Sequence, residues 1–585
     1  MTKVFAHIKA TYLATRMKKD ILAANNRRNN IIALISYSII TLLVTLPLIS
    51  NIKSGIYGFP SDNIYQMHDI WFYKLRALSF VGIKPPLDIN TIEHDHLFTT
   101  PVLDILSTAL AILTSPLISY NIFILFGFIS AGFFMFVLTK GIINLPWASF
   151  VAGLVFSFSP YHYSLSQNHI ELSQTEVIPI FGLLLLNLWR ERTKKSAVIL
   201  GIGLGLITLT TNYYGYFLLI LSVLLVPVYF ALCKDIESRR SSIGNIFIFF
   251  TTSILIIAPT YTNYIVTSKN VKDLETITWK RMERSPQDFF TYSARPWFYV
   301  LPDIKNPITG KLSQRVLSWI SQKPPHFLTQ VFFENEHSLY LGVWTILLCI
   351  YAFAKREEKD KKTTYTLSVL AFVFLILSAP PYATISGHKI YFPSFILSKI
   401  LPQFRVYARS GIVALSFLSI VAGVGAKYLL EKANAKHLKL VLAISISLLI
   451  VVDMYKTPRF TKLLPLPKYY EIIESESQAS VIETPKPVDA QDLFYQMYHN
   501  KVVYGLEDPS ELERTIKGAK KPVLVVYRKD SGEIYDELIN NEKGNLNIDK
   551  KSEQRETGAE ELSDITIKNS KILFKNKDIT LYKLE

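Results

Sequence analysis

Two carboxylates, Asp62 and Asp69, stand in the stretch Gly58-Phe-Pro-Ser-Asp-Asn-Ile-Tyr-Gln-Met-His-Asp-Ile-Trp71. Their spacing is about two helical turns, so on a helix both acids share one face. Pro60-Ser61-Asp62 has the composition of a helix start, with Ser61 or Asp62 as the cap. The stretch follows directly on the first membrane-length apolar run. A carboxylate at that lip can act as a general base, taking the proton of a hydroxyl as it attacks a lipid-borne substrate. The same residues also suit a capped interfacial helix with solvated acids, and spacing alone leaves both readings open.

Other residues with chemistry to offer gather near the ends of apolar runs. Glu93-His94-Asp95-His96 joins imidazole and carboxylate, good ligands for a divalent metal such as Mg or Mn. Its alternating spacing suits an extended segment, and its histidines serve equally as acid/base partners near neutral pH or as holders of substrate hydroxyls. His162, His169 and Glu171 lie between two apolar runs, Asn212-Tyr213 lies at the junction of two more, and Glu336-His337 precedes another. Ionisable groups at a membrane boundary are costly and so are functional candidates, although polar span ends are also ordinary. Arg405 and Arg409 open a further run one helical turn apart. Two guanidiniums on one face recognise phosphate through forked hydrogen bonds, or else snorkel to lipid headgroups.

The elements that must position these groups are membrane-length helices. Half of the 585 residues are apolar, yet the formal net charge is +16. Long apolar runs with basic punctuation describe a polytopic membrane protein, with the charge in cytoplasmic loops and no nucleic acid as partner. Such runs fall at 31–50, 119–139, 147–160, 171–189, 196–211, 213–233, 243–262, 338–354, 364–379, 406–426 and 438–453. The basic segment 1–30 and the absence of a small-residue cleavage site make 31–50 an uncleaved first span. A twelfth run, 101–117, carries Asp104, Ser107, Thr108 and Thr114. If it does not cross, Lys140, Arg190/Arg192/Lys194/Lys195, Lys234/Arg239/Arg240, Lys355–Lys362 and Lys427/Lys432/Lys436/Lys439 all fall inside. If it crosses, that bias is lost. The expectation is therefore a re-entrant or interfacial 101–117 and about eleven spans.

This topology puts the loops 51–118 and 263–337 outside, together with a tail from 454 to 585. Trp and Pro recur in 263–337 (Trp279, Trp297, Trp319, Pro324, Pro325), as in interface-lying helices. In the tail, Ala479-Ser-Val-Ile-Glu-Thr and Pro522-Val-Leu-Val-Val-Tyr527 have strand length, and 571–582 alternates around Asn576-Lys577 as a hairpin. A small α/β domain is expected there, with 530–560 as an exposed charged loop. Cys233 and Cys349 form no disulfide framework and no thiolate zinc site.

In order and membrane placement, several segments resemble bacterial polytopic membrane glycosyltransferases of the GT-C fold. They are Ser61-Asp62-Asn63 with Trp71, Pro116-Leu117, Phe156-Ser-Phe-Ser-Pro-Tyr-His162 with His169-Ile-Glu171, Thr211-Asn-Tyr-Tyr214, Glu336-His-Ser-Leu-Tyr-Leu-Gly342, and Phe404-Arg-Val-Tyr-Ala-Arg409 with Ala422-Gly-Val-Gly425. The resemblance covers roughly residues 30–430. It implies an integral cytoplasmic-membrane enzyme, N-terminus cytoplasmic and C-terminal domain extracytoplasmic. Such an enzyme moves a hexosyl or pentosyl group from a polyprenyl-phosphate carrier to an envelope acceptor, with inversion. The resemblance also implies Asp62 as base or metal partner, with Asp69 and Glu93/Asp95 competing for a second acidic role. Arg405 and Arg409, or a metal at Glu93–His96, would stabilise the departing phosphate, while His169 and Glu336 would hold sugar hydroxyls. Two other classes fit the composition: a flippase or transporter of lipid-linked glycans, and a non-catalytic envelope assembly protein. Mid-run segments almost free of charge weigh against transport.

Overall fold

The computed structural model describes residues 27–83, 100–231, 236–270, 286–321, 334–355, 357–385, 388–463, 468–476, 480–484, 490–505, 523–528, 570–575 and 579–584. Every one of the eleven apolar runs lies at least in part on helix. Among the described residues, five helices are long and apolar enough to cross a membrane: Pro116–Ile143, Asn212–Phe230, Arg240–Thr262, Tyr407–Lys432 and Lys436–Met454. Pro101–Leu113, Pro146–Ser157 and Val343–Lys355 are shorter apolar helices. Pro101–Leu113 spans only ~20 Å at 1.5 Å per residue, short of the hydrocarbon core. It ends before Pro116 opens the next helix. Proline at the first helical position, as at Pro146 and Pro160, removes a donor that no helix would use.

Several runs, 147–160, 171–189 and 338–354 among them, are interrupted where the sequence suggests continuity. The run 147–160 stops at Ser157, and Pro160–Ser166 forms a separate short helix capped by Ser159, whose side chain accepts from the His162 backbone N–H. The run 338–354 is helical only from Val343.

The chain forms two compact units. The first comprises residues 1–50, 98–105 and 121–459. Its most buried long helix, Gly411–Lys432, packs against Pro146–Ser157, Val343–Lys355 and Glu358–Leu377. Small residues permit the approach: a Cβ on Gly425 would lie 2.0 Å from the Leu348 carbonyl oxygen. Polar staples fix the connecting loops of this unit. Asn306 donates to the carbonyls of Asp453 and Tyr455, closing the end of Lys436–Met454. Lys456 is fully buried and donates to Ser164 Oγ (2.6 Å) and Ser338 Oγ (3.2 Å), with Asp303 Oδ2 at 3.2 Å.

The second unit comprises residues 51–97, 106–120 and 460–585. Strand β1 (Gly55–Tyr57) pairs antiparallel with β4 (Phe460–Lys462); β2 (Tyr382–Ile385) and β3 (His388–Tyr391) form a hairpin in the first unit. A five-stranded sheet has the order β6-β5-β7-β9-β8, made of β5 (Ser480–Thr484), β6 (Val502–Gly505), β7 (Val523–Arg528), β8 (Ser570–Lys575) and β9 (Ile579–Leu584). β6, β5 and β7 run parallel, and β8–β9 is the antiparallel hairpin that alternation predicts. The segment 530–560 lies outside the described residues.

Candidate functional site

In the first unit a cluster of charged and aromatic side chains forms where four chain segments meet. Glu336 stands on the short helix Glu334–His337, and Arg409 on the 3-10 turn Tyr407–Ser410 that leads into Gly411–Lys432. Arg409 Nε donates to Glu336 Oε2 (3.0 Å) and Nη2 to Oε1 (2.5 Å), a two-pronged charge-assisted pair. Both side chains are about nine-tenths buried. The guanidinium lies 4.3 Å from the Tyr213 ring centroid, a cation–π contact. Burial would raise the Glu336 carboxyl, but the Arg409 charge and its hydrogen bonds outweigh it and hold the group below the usual carboxylate range.

His169 and Glu171 form the more open rim, Nδ1 to Oε1 3.7 Å, with side chains 17% and 25% exposed. His169 is near enough to act electrostatically on Glu336. The backbone of this turn is fixed from Asn212–Ala231: the Tyr214 hydroxyl donates to the Leu172 carbonyl (2.6 Å) and lies 3.2 Å from the Tyr161 hydroxyl. Asn212 Oδ1 accepts from Tyr261 (2.8 Å), seating the start of the same helix. Tyr216 stacks on Phe404 at 4.2 Å, and Tyr213 meets the edge of Phe404 at 5.3 Å. A buried ion pair against an aromatic face, beside part-exposed His169 and Glu171, offers carboxylates that can accept from hydroxyls and a guanidinium of fixed orientation.

The expected phosphate clamp of two arginines on one helical face is not formed. Arg405 precedes the helix in an irregular segment. It pairs with Asp288 (Nη1 to Oδ2 2.6 Å) over the Tyr292 ring, whereas Arg409 takes Glu336. The helical phase does not extend back to 405, because Val406 (φ −98°, ψ 79°) is not helical.

His162 is sealed in the interior, which replaces the substrate role with a structural one. Its ring stacks on Phe128 at 4.1 Å, with Nδ1 and Nε2 each 2.8 Å from a carbonyl, those of Ser157 and Ser173. Burial pulls its pKa down to about 4, against the pull of those two carbonyls. His337 is likewise buried, stacked on Phe298 at 4.5 Å, and burial with the Arg295 charge lowers it to about 4. Its ring lines a water-sized cavity with Phe298, Asp303 and Ser338, too small for a sugar.

The sequence reading missed Arg295, Asp303 and Lys456. Arg295 is 1% exposed and donates to the carbonyls of Phe290, Ser293 and Ala294, folding the loop behind Glu336. The available signal was lone charges beside aromatic and apolar residues: Arg295 before Pro-Trp-Phe-Tyr and Lys456 after an apolar helix.

In the second unit, Asp62 opens the helix Asp62–Phe80. Its buried stripe is Asn63, Ile64, Met67, His68, Ile70, Trp71 and Leu75. Asp62 (exposed) and Asp69 (half-buried) share the opposite side. Ser61 stands at the N-cap position but makes no side-chain cap bond. The fully buried Asn63 organises the turn instead, accepting from Ser61 N (2.8 Å) and donating to Phe59 O (2.9 Å). Gly58 sits at φ 109°, a conformation glycine adopts without steric cost. Asp62 is thus an exposed residue at the start of a helix whose leading turn Asn63 holds in place.

Glu93, His94, Asp95 and His96 lie outside the described residues, and the expected metal site with them. Among the described residues no three His, Cys, Asp or Glu side chains gather as a metal site.

No protein-family model and no curated protein matches the sequence. Solved structures do resemble the fold. An oligosaccharyltransferase of Archaeoglobus fulgidus, AglB, in complex with an inhibitory peptide and a dolichol-phosphate, matches with TM-score 0.46 and 11% identity, over 86% of this chain and 69% of its own. ArnT of Cupriavidus metallidurans, bound to undecaprenyl phosphate, matches with TM-score 0.44 and 11% identity, over 94% and 97%. The mycobacterial arabinofuranosyltransferase AftD matches with TM-score 0.46 and 11% identity, over 85% of this chain and 35% of its own.

Proposed function

We propose that the protein is an integral membrane glycosyltransferase that moves a sugar from a polyprenyl-phosphate carrier to an acceptor hydroxyl on the extracytoplasmic side. The observation that carries this reading is the buried Glu336–Arg409 pair, walled by Tyr213 and rimmed by His169 and Glu171. Carboxylates and imidazole at the rim suit sugar hydroxyls as acceptors and donors. Arg409, oriented before any ligand arrives, supplies positive charge where a departing phosphate gains negative charge.

The reaction is a single inverting displacement. The acceptor oxygen forms a bond to the anomeric carbon as the carbon–oxygen bond to phosphate breaks, its electron pair leaving on the phosphate. The acceptor proton passes to Asp62, work that typically contributes a factor of ~10²–10⁴. Glu93–His96 are the residues proposed to hold Mg or Mn, whose chemistry would be to neutralise phosphate charge. Arg405 fits a supporting role, since its guanidinium is committed to Asp288.

The test is mass-spectrometric profiling of carrier-linked sugars and envelope glycans in a deletion strain complemented with wild type, Asp62→Asn, Asp69→Asn or Arg409→Met. Deletion, Asp62→Asn and Arg409→Met should each accumulate a carrier-linked sugar and lose one glycan residue. Asp62→Asn should still express normally, since the side chain is exposed. Identical lipid and glycan pools in deletion and wild-type strains would sink the reading. Transfer by Asp62→Asn above about a tenth of wild type, a smaller loss than a general base supplies, would move the base to Asp69 or Asp95.

A further inference from the structure

The acid-bearing helix Asp62–Phe80 does not stand alone: its buried stripe is seated on residues that follow it by more than four hundred positions. His68 Nε2 lies 2.8 Å from Gln496 Oε1, and Trp71 Nε1 donates to Asn500 Oδ1 at 3.2 Å. Both acceptors are themselves fixed. Gln496 is 2% exposed, and its Nε2 donates to the Lys501 carbonyl (2.9 Å), so Oε1 is left to accept and His68 donates from Nε2. Asn500 follows the helix Ala490–His499 at φ 54°, the left-handed position that ends helices and that asparagine tolerates, and its N–H closes on the Gln496 carbonyl. That conformation aims its side chain at Trp71.

The approach to Asp62 is held from the other side as well. β4 pairs with β1, immediately upstream of the turn, and Thr461 Oγ1 donates to the Gly58 carbonyl at 2.8 Å. The acid is therefore bracketed: Thr461 fixes the chain before it, and Gln496 and Asn500 fix the helix after it.

We infer that the segment from β4 through Asn500 is a positioning element for the acidic helix, with Gln496, Asn500 and Thr461 as positioning residues that set where the Asp62 carboxylate stands. This rests on the proposal that Asp62 is the base. Each hydrogen bond of this kind adds only modestly to stability. A base displaced by about 1 Å, however, costs up to ~10²-fold in rate. The C-terminal region thus acts in the chemical step rather than as an appendage for partners.

The experiment uses the full-length protein in lipid nanodiscs. Gln496→Met removes the acceptor at similar volume, and Asn500→Gly keeps the left-handed backbone while removing the side chain. Thr461→Val supplies a third variant in case the buried pair impairs folding. Hydrogen–deuterium exchange of residues 62–71 and the kinetics of transfer are read together. The expected result is at least tenfold faster exchange of 62–71, with β5 and β7 amides unchanged. It is accompanied by a kcat about tenfold lower and a KM for the carrier-linked sugar within twofold of wild type. Unchanged exchange in 62–71 in all three variants overturns the inference, as does faster exchange with unchanged kcat. Faster exchange in a protein whose wild type transfers no sugar upholds the mechanical seating and overturns the activity reading instead.

Discussion

Substituting Glu336 by Gln removes one charge from a pair that is about nine-tenths buried while keeping its shape. Arg409 would then hold an uncompensated charge in the interior. Breaking a buried pair in this way costs about 3–5 kcal/mol, far more than the ~0–1 kcal/mol of an exposed pair. The two hydrogen bonds, 3.0 and 2.5 Å, make the geometry that sets the upper part of that range. Arg409→Met should cost a similar amount, because it strands the carboxylate and removes the cation from the Tyr213 face. The double variant Glu336→Leu/Arg409→Met strands nothing and should recover most of the loss. Urea unfolding in micelles, followed by tryptophan fluorescence, gives the three free energies and hence the coupling. Singles that lose under about 1 kcal/mol, or a double that loses the sum of both, would refute the reasoning. Transfer should be absent from the double even where its stability returns, since apolar side chains supply no charge to a phosphate.

Acid should weaken the first unit through its buried histidines. His162 and His337 have pKa values lowered to about 4 from the ordinary 6.5, so the unfolded chain binds protons that the folded chain refuses. Their contribution is complete above pH 6.5 and lost as the pH falls through 4. It amounts to roughly 4 kcal/mol between pH 6.5 and 5 for the two together, at ~1.4 kcal/mol per unit each; equal unfolding midpoints at pH 7 and 5 would contradict this. Arg405→Lys should leave stability within about 1 kcal/mol of wild type, its pair with Asp288 being part-exposed, whereas Arg409→Lys loses the fork and should cut both stability and transfer. Equal effects of the two substitutions would restore the symmetric clamp. Gly425→Ala places a Cβ 2.0 Å from the Leu348 carbonyl oxygen and should cost ~1–3 kcal/mol or more of overpacking, read in the same urea titration; an unchanged midpoint would mean that the two helices part freely.

Much of the architecture was legible because local periodicity reports local structure. Apolar runs gave helices, and alternation around Asn576-Lys577 gave the β8–β9 hairpin. The shared face of Asp62 and Asp69 followed from helical phase alone. Contacts between distant segments left no such trace. Lys456 meets Ser164 across 292 residues, and His68 meets Gln496 across 428; no spacing rule reaches that far. Phase misled where a helix was extended too early, as at Arg405, and where an apolar run hid a break, as at Ser157. His162 lies between two apolar runs, where polar residues are site candidates, but the chain turns inward there and buries it.

Two of the buried ion pairs among the first unit's described residues stand in different surroundings. Lys456 and Asp303 are both about 1% exposed, and Ser164 and Ser338 share the lysine's hydrogen bonds. Ser338 also donates to the same Asp303 oxygen. That pair joins the loop at 303, the segment at 338 and the chain leaving Lys436–Met454, beside a cavity large enough only for water. Glu336 and Arg409 are bonded as tightly, yet they lie beside a rim where His169 and Glu171 remain part-exposed, and Arg409 presents a face to Tyr213. Since apolar side chains of equal volume usually match or exceed a buried pair in stability, stability alone does not account for keeping charge at the half-open position. A fixed guanidinium whose carboxylate partner holds it in place before any ligand arrives is the arrangement that electrostatic catalysis needs, because the field is then present without reorganisation at the moment charge develops.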